Sequence, residues 1–406
     1  MSSFRTPRMR RPSKFVSSTT TSSGTRKMRV AVRAFGRLMV WRTSGPNCNA
    51  VSSRFDMKAL LLVGGQGTRL RPLTIHAPKS IVPIFNRPFL HYQLDLIKQV
   101  PEIDEVILSL NYQPRRIEEV FGDGREAGIR LRYVVEPTPL GTAGAVRYAA
   151  RGVDDTIVVF NGDVLTQVDL RSLIDFHRSR RARATIVLTP VDNPTAYGLV
   201  ETDTDSNILR FLEKPALDEI TCNTINAGIY VLEPATFDRI PEHVAWSIER
   251  SFFPSFIERG ETFLASIYRD YWIDIGTPEK YMQVHRDIMD GRYSMPPFNG
   301  AQGLVWISPD ARVDASARLE GPLFVDERCV VKAGARLGPY TVLGRSCQVE
   351  EDANVAGAIV WPESRIGREA HLVDTIVGRS GDIGRNACLR GGVFGDNTHI
   401  AEYSRL

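Results

Sequence analysis

Acidic residues are nearly missing from the first 56 positions of this 406-residue chain, where Asp56 stands alone against ten arginines and two lysines. That leader also lacks an apolar run long enough for a secretory core or a membrane span, which excludes a signal peptide or an anchor within it. Its Ser-, Thr- and Arg-rich composition is shared by organelle transit peptides. Met57 directly precedes the first strand pattern, however, so residues 1–56 are expected to be a disordered or extraneous leader read from upstream of Met57. Without them the chain holds 39 basic and 46 acidic residues, a net of −7 instead of the whole chain's +4. Nothing in that balance calls for nucleic acid or a membrane surface as a partner.

Cysteine is sparse and unpatterned. Cys48, Cys222, Cys329, Cys347 and Cys388 are odd in number, and no CxxC or Cys/His ligand spacing occurs. A disulfide framework and a structural zinc are therefore not expected, and a reducing, cytoplasmic setting fits. The two commonest phosphate-loop signatures are missing too: there is no GxxxxGK[ST], and GGQGTR cannot be laid onto GxGxxG. With 43% hydrophobic and 24% charged residues, the composition is that of a soluble chain of about two domains.

What is present begins at Met57. Ala59–Val63 is an unbroken apolar run, as expected of a buried parallel strand. It leads into Gly64, Gly65 and Gly67, where a backbone without Cβ atoms can lie close to a bulky anion. Arg69, Arg71 and Lys79 follow. Backbone donors and cations at the carboxyl end of a first strand describe a polyphosphate site, in the crevice where open α/β sheets bind ligands. Further strands are predicted at Glu105–Leu110, Leu131–Val135, Thr156–Phe160 and Ala184–Leu188, with helices at Phe89–Gln99 and Leu170–Arg180. The pattern is that of an α/β domain with a parallel or mixed sheet. Asp163 follows the strand TIVVF at the same sheet edge, where it can share Mg²⁺ with substrate phosphates.

The strings GGQGTRLRPLT, PKSIVPIFNRP, EPTPLGTAGA, FNGDV, FLEKP, NAGIY, SIERSFFP and YWIDIGTP resemble the sugar-1-phosphate nucleotidyltransferase family. Together they look most like the branch of it that uses GTP and mannose 1-phosphate. The resemblance covers most of residues 57–285 and implies a Rossmann-like nucleotidyltransferase fold over 57–293. It implies attack by a hexose 1-phosphate on the α-phosphorus of a nucleoside triphosphate, releasing pyrophosphate. Arg69, Lys79 and Lys214 would be the catalytic cations, and Asp163 with Asp274 would hold Mg²⁺. The nucleotide would lie on Leu62, Gly64, Gly65, Gly67, Thr68, Glu136, Gly141 and Thr142. The sugar phosphate would meet Gly162, Gly198, Glu213, Lys214, Asn226 and Gly228. Glu136 has a chemical reading of its own, because a carboxylate can accept both donors on guanine's Watson–Crick edge, although it could instead cap the following helix or pair with an arginine. Glucose 1-phosphate with TTP, UTP or ATP stays open as a substrate pair, as does a silent regulatory paralogue.

After the linker 294–302 the texture changes. Ile307, Val313, Leu319, Val325, Val331, Leu337, Leu343, Val349 and Val355 recur every six residues, and the phase resumes with Ile366, Leu372, Ile383 and Leu389. This predicts a left-handed parallel β-helix over 303–406, of five or six coils with three hexapeptides each. Its flat faces suit assembly into a homo-oligomer. Such helices also carry acyltransferase sites, which makes His371 and His399 candidate bases, although both are expected on the surface.

Overall fold

The computed structural model describes residues 57–299 and 303–406, and the basic leader lies outside them. A nine-stranded mixed sheet organises the first part. Its main path runs Ile208–Glu213, Gly198–Thr202, Thr224–Leu232, Ile157–Asn161, Met57–Leu62, Ile103–Leu110 and Arg130–Val135. Ala184–Pro190 pairs with Thr224–Leu232 and with Phe263–Ile267 at one side. Met57–Leu62 is central, and it is parallel to both neighbours.

The all-apolar strand patterns arise because both faces are covered. Ala59 and Leu61 enter one core with Val158, Phe160 and the helices Leu90–Ile97, Pro114–Phe121 and Leu170–Ser179. Leu60 enters the opposite core with Ile157, Val159 and the helices Gly141–Ala149 and Phe253–Glu258. The first strand ends one residue earlier than predicted, at Leu62. Helix Leu90–Ile97 is shorter than the predicted Phe89–Gln99, although Phe89 and Val100 are still buried.

From Val305 the chain winds into three parallel sheets of six, six and five two- or three-residue strands, the faces of a left-handed β-helix of about six coils. Every predicted interior residue from Val325 onward is buried in its core, while Ile307, Val313 and Leu319 are partly covered in the first coil. The phase slip after Val355 has a local cause. The first coils pair residues 18 apart, as in Val325 with Leu343, whereas Leu343 pairs with Val360 and Val349 with Ile366, 17 apart. One corner has lost a residue, so Val360, Val377 and Phe394 continue the interior row five residues after their predecessors.

The β-helix is fused to the segments on either side of Lys79. Leu70, Leu73, Val82, Ile84 and Phe85 share one apolar cluster with Phe324, Val342, Ile359, Trp361 and Ile376 of the solenoid. Within it the Trp361 indole N–H donates to the Tyr281 hydroxyl at 3.0 Å, and that hydroxyl donates to the Pro83 carbonyl. Arg286 and Asp374 pair across the same boundary at 2.7 Å.

Candidate functional site

The site forms where Met57–Leu62 and Ile157–Asn161 end side by side. After Leu62 the chain turns through Gly67, whose φ of +61° is left-handed, and enters a short 3₁₀ turn at Thr68–Leu70. Only Gly67 of the three loop glycines needs that conformation; its carbonyl accepts the Thr74 hydroxyl at 2.7 Å. Next door, the Gly162 N–H donates to the Leu62 carbonyl at 3.0 Å, and a Cβ there would lie 2.5 Å from the same oxygen. A side chain at 162 would push the two strand ends apart.

Asp163 is held from three directions. Its carbonyl accepts Ile275 N–H at 2.9 Å, and its carboxylate Oδ2 pairs with Lys79 Nζ at 2.9 Å. Behind it the buried Gln93 amide donates to Asn161 O at 2.8 Å and Val164 O at 3.0 Å, clamping both ends of the Asn161–Val164 turn. Val164–Thr166 is antiparallel to Trp272–Asp274, with Val164 opposite Asp274. Two acids 111 positions apart in sequence are thereby set at neighbouring strand ends, Asp163 just before Val164 and Asp274 opposite it.

Two adjoining cavities open here. The larger, about 540 Å³, is lined by the glycine loop from Leu62 to Arg69 and by Lys79, Glu136, Gly141, Thr142, Gly162 and Asp163. The smaller, about 180 Å³, is lined by Gly198, Glu213, Asn226, Gly228, Glu249, Asp274 and Lys280 among others. Arg69, Asn161 and Asp163 belong to both. One cavity suits a nucleotide and the other a smaller polar guest, with a shared wall of one cation and one acid.

Most of the predicted site residues therefore line one cavity or the other. Arg71 and Lys214 do not: both are exposed, and Lys214 turns away with a φ of +53° while its N–H donates to the Tyr197 carbonyl at 2.9 Å. The ammonium in the smaller cavity is that of Lys280, which contacts Asp274 Oδ1 and the Tyr197 hydroxyl. Sequence reasoning missed Lys280 because GTPEK reads as a helix start, with Thr277 as its cap.

Two other side chains are more committed than expected. Glu136 is 9% exposed; its Oε1 accepts the Ser109 hydroxyl at 3.1 Å and its Oε2 the Leu140 N–H at 2.9 Å, just before helix Gly141–Ala149. Each oxygen keeps a second acceptor position on a carboxylate that borders the larger cavity. Burial pushes its carboxyl above the usual range. The Thr142 hydroxyl donates to Glu249 Oε2 at 2.9 Å and accepts Ile248 N–H at 2.8 Å, so it ties the linings of the two cavities together. Glu213 is likewise raised, by burial and then by the Glu249 charge.

The residues fit a hard divalent cation. Among the described residues no group of three or more His, Cys, Asp or Glu side chains is arranged to cage a metal. A cation that keeps several waters and shares substrate phosphates needs only one or two carboxylates, however. Asp163 and Asp274 offer that pair. A Cβ added at Gly276 would come within 2.9 Å of Asp274 Oδ2 and 3.0 Å of Arg69 Nη2, so glycine there leaves open the space bordered by both groups.

Residues 58–291 match the family described as nucleotidyl transferase, and 319–405 match one described as the GMPPB C-terminal domain. A mannose-1-phosphate guanylyltransferase of Mycobacterium tuberculosis is 40% identical over 71% of this chain and 78% of its own. A probable mannose-1-phosphate guanylyltransferase 1 of rice, Oryza sativa, is 35% identical over 85% and 93%. Among solved structures, a Bacillus anthracis protein described as a "putative glucose-1-phosphate thymidylyltransferase" superposes with a TM-score of 0.52 at 24% identity, covering 56% of this chain and 93% of that one. This last likeness concerns the fold alone.

Proposed function

The chain belongs to the nucleotidyl transferase family, and from that premise we propose that it joins GTP to mannose 1-phosphate, releasing pyrophosphate and GDP-mannose. The single observation that carries the reading is the shared wall of the two cavities. A triphosphate in the larger and a sugar phosphate in the smaller meet at Arg69, Asn161 and Asp163.

The chemistry asked of the protein is positioning and charge neutralisation, because a phosphate oxygen is already a competent nucleophile. The glycine loop cradles the triphosphate with main chain. The Arg69 guanidinium, which borders both cavities, faces the charge that develops on departing pyrophosphate. Lys79 holds Asp163 in place and sets its ammonium beside the reacting phosphates. Glu213, Asn226 and Glu249 line the sugar side, where carboxylates and an amide can accept hydroxyl protons. Mg²⁺ on Asp163 and Asp274, when bound, offsets the crowded negative charge as a Lewis acid. We further place the enzyme in the cytoplasm, as a homo-oligomer assembled through its β-helix. Among the described residues no helix is long and apolar enough to cross a membrane.

A panel of each hexose 1-phosphate with GTP, TTP, UTP and ATP, scored by pyrophosphate release, tests the substrate pair. GTP with mannose 1-phosphate is expected to lead, and a clear lead for glucose 1-phosphate with another nucleotide would refute it. In the same assay Glu136→Gln is expected to cut the preference for GTP roughly ten- to a hundredfold, the worth of a charge-assisted hydrogen bond. Unchanged selectivity would show that the carboxylate only braces Leu140.

A further inference from the structure

The smaller cavity is an awkward place for an anion. Its lining includes four acids, Asp163, Glu213, Glu249 and Asp274, against two cations, Arg69 and Lys280. A hexose 1-phosphate carries close to two negative charges at neutral pH, so its entry there needs a cation free to receive it. Lys280 is the ammonium on that side, since Lys214 is exposed outside the cavity. Lys280 is engaged by Asp274, with the Tyr197 hydroxyl as its second contact and the Tyr197 ring 4.9 Å away. Lys79 stands in the same relation to Asp163. Each carboxylate placed to hold a cation is therefore already neutralised by a lysine, and each lysine lies beside a cavity suited to phosphate.

We propose that Lys280 is a placeholder on Asp274 that transfers to the phosphate of the incoming hexose 1-phosphate, so that the divalent cation and the sugar phosphate bind cooperatively. The exchange conserves charge pairing. Asp274 gives up the ammonium and gains the metal, while the ammonium gives up Asp274 and gains the phosphate. Without sugar phosphate, a metal ion approaching Asp274 must displace Lys280 from its contacts with Asp274 and Tyr197; with sugar phosphate, the displaced ammonium has a dianion to meet. Binding of either ligand then favours the other by the same factor. This inference rests on the metal and acceptor roles proposed above for Asp274 and the smaller cavity.

The test is a Mn²⁺ titration of the full-length protein, read by the paramagnetic resonance of free Mn²⁺, with and without mannose 1-phosphate and with no nucleotide present. In the unaltered protein, mannose 1-phosphate is expected to tighten Mn²⁺ roughly tenfold, within the usual range of coupling between sites. Lys280→Met is expected to bind Mn²⁺ roughly tenfold more tightly by itself and to gain less than about twofold from mannose 1-phosphate. Lys280→Arg, which keeps the charge, is expected to stay close to the unaltered protein and guards against a misfolded methionine variant. Were Lys280→Met to bind Mn²⁺ no better, with coupling intact while Asp274→Asn weakens the metal, the placeholder would be refuted and the metal site would stand. Should Asp274→Asn itself leave Mn²⁺ binding untouched, the metal assignment would fail and take the placeholder with it.

Discussion

Asp163→Asn is expected to lower turnover by on the order of 10³ at ordinary Mg²⁺ concentrations, with the fold preserved. The substitution keeps the size of the side chain and the main-chain bond to Ile275, and Gln93 still clamps the turn on both sides. What it removes is one negative charge, with two consequences. The pair offered to a divalent cation shrinks to Asp274 alone, and Lys79 loses the partner that holds its ammonium at 2.9 Å beside the larger cavity. In the proposed reaction both losses fall on groups beside the reacting phosphates, so kcat is expected to fall far more than thermal stability. Steady-state pyrophosphate release beside a melting curve separates the two. Near-normal turnover would contradict the role given to Asp163.

The second large effect lies far from any phosphate. Trp361→Ala is expected to destabilise the protein by about 3–5 kcal/mol, the cost of deleting a large buried aromatic side chain. Trp361 is 3% exposed and belongs to the apolar cluster that contains Leu70 and Leu73 from the glycine-loop segment and Val82 and Ile84 from the segment that follows Lys79. Its indole N–H also holds the Tyr281 hydroxyl that reaches Pro83. The solenoid is therefore the floor beneath the glycine-loop segment and the segment after Lys79. Loss of activity and loss of β-helix structure are expected to coincide along a urea titration of this variant. Activity that outlasts the solenoid's unfolding would show that the catalytic part stands without it.

How much of this could be read from the sequence depended on distance along the chain. The central strand, the glycine turn and the hexapeptide row are local patterns whose periodicity directly reports burial on one face or both. The 17-residue coils escaped a strict count of six, because Leu343 and Val360 share a face only when a corner has lost a residue. Lys280 and Lys214 show where local reading stops. Each follows a glutamate in a short motif, as EK at 213–214 and at 279–280, and nothing local says which ammonium reaches the cavity. That is decided by the left-handed turn at Lys214 and by the helix start that sets Lys280 against Asp274. Glu136 was legible only as a set of open roles, because its bonds to Ser109 and the Leu140 N–H join segments that no local pattern relates.

In the proposed reaction, sugar phosphate and nucleotide lie together at one sheet edge and react directly. A nucleoside triphosphate with sulfur in place of one α-phosphate oxygen, supplied as a single diastereomer together with hexose 1-phosphate, tests it most directly through the configuration of the nucleotide-sugar formed. One in-line displacement across the wall shared by the two cavities predicts inversion at the α-phosphorus. Retention would mean that the nucleotidyl group first passes to the protein, and would contradict it.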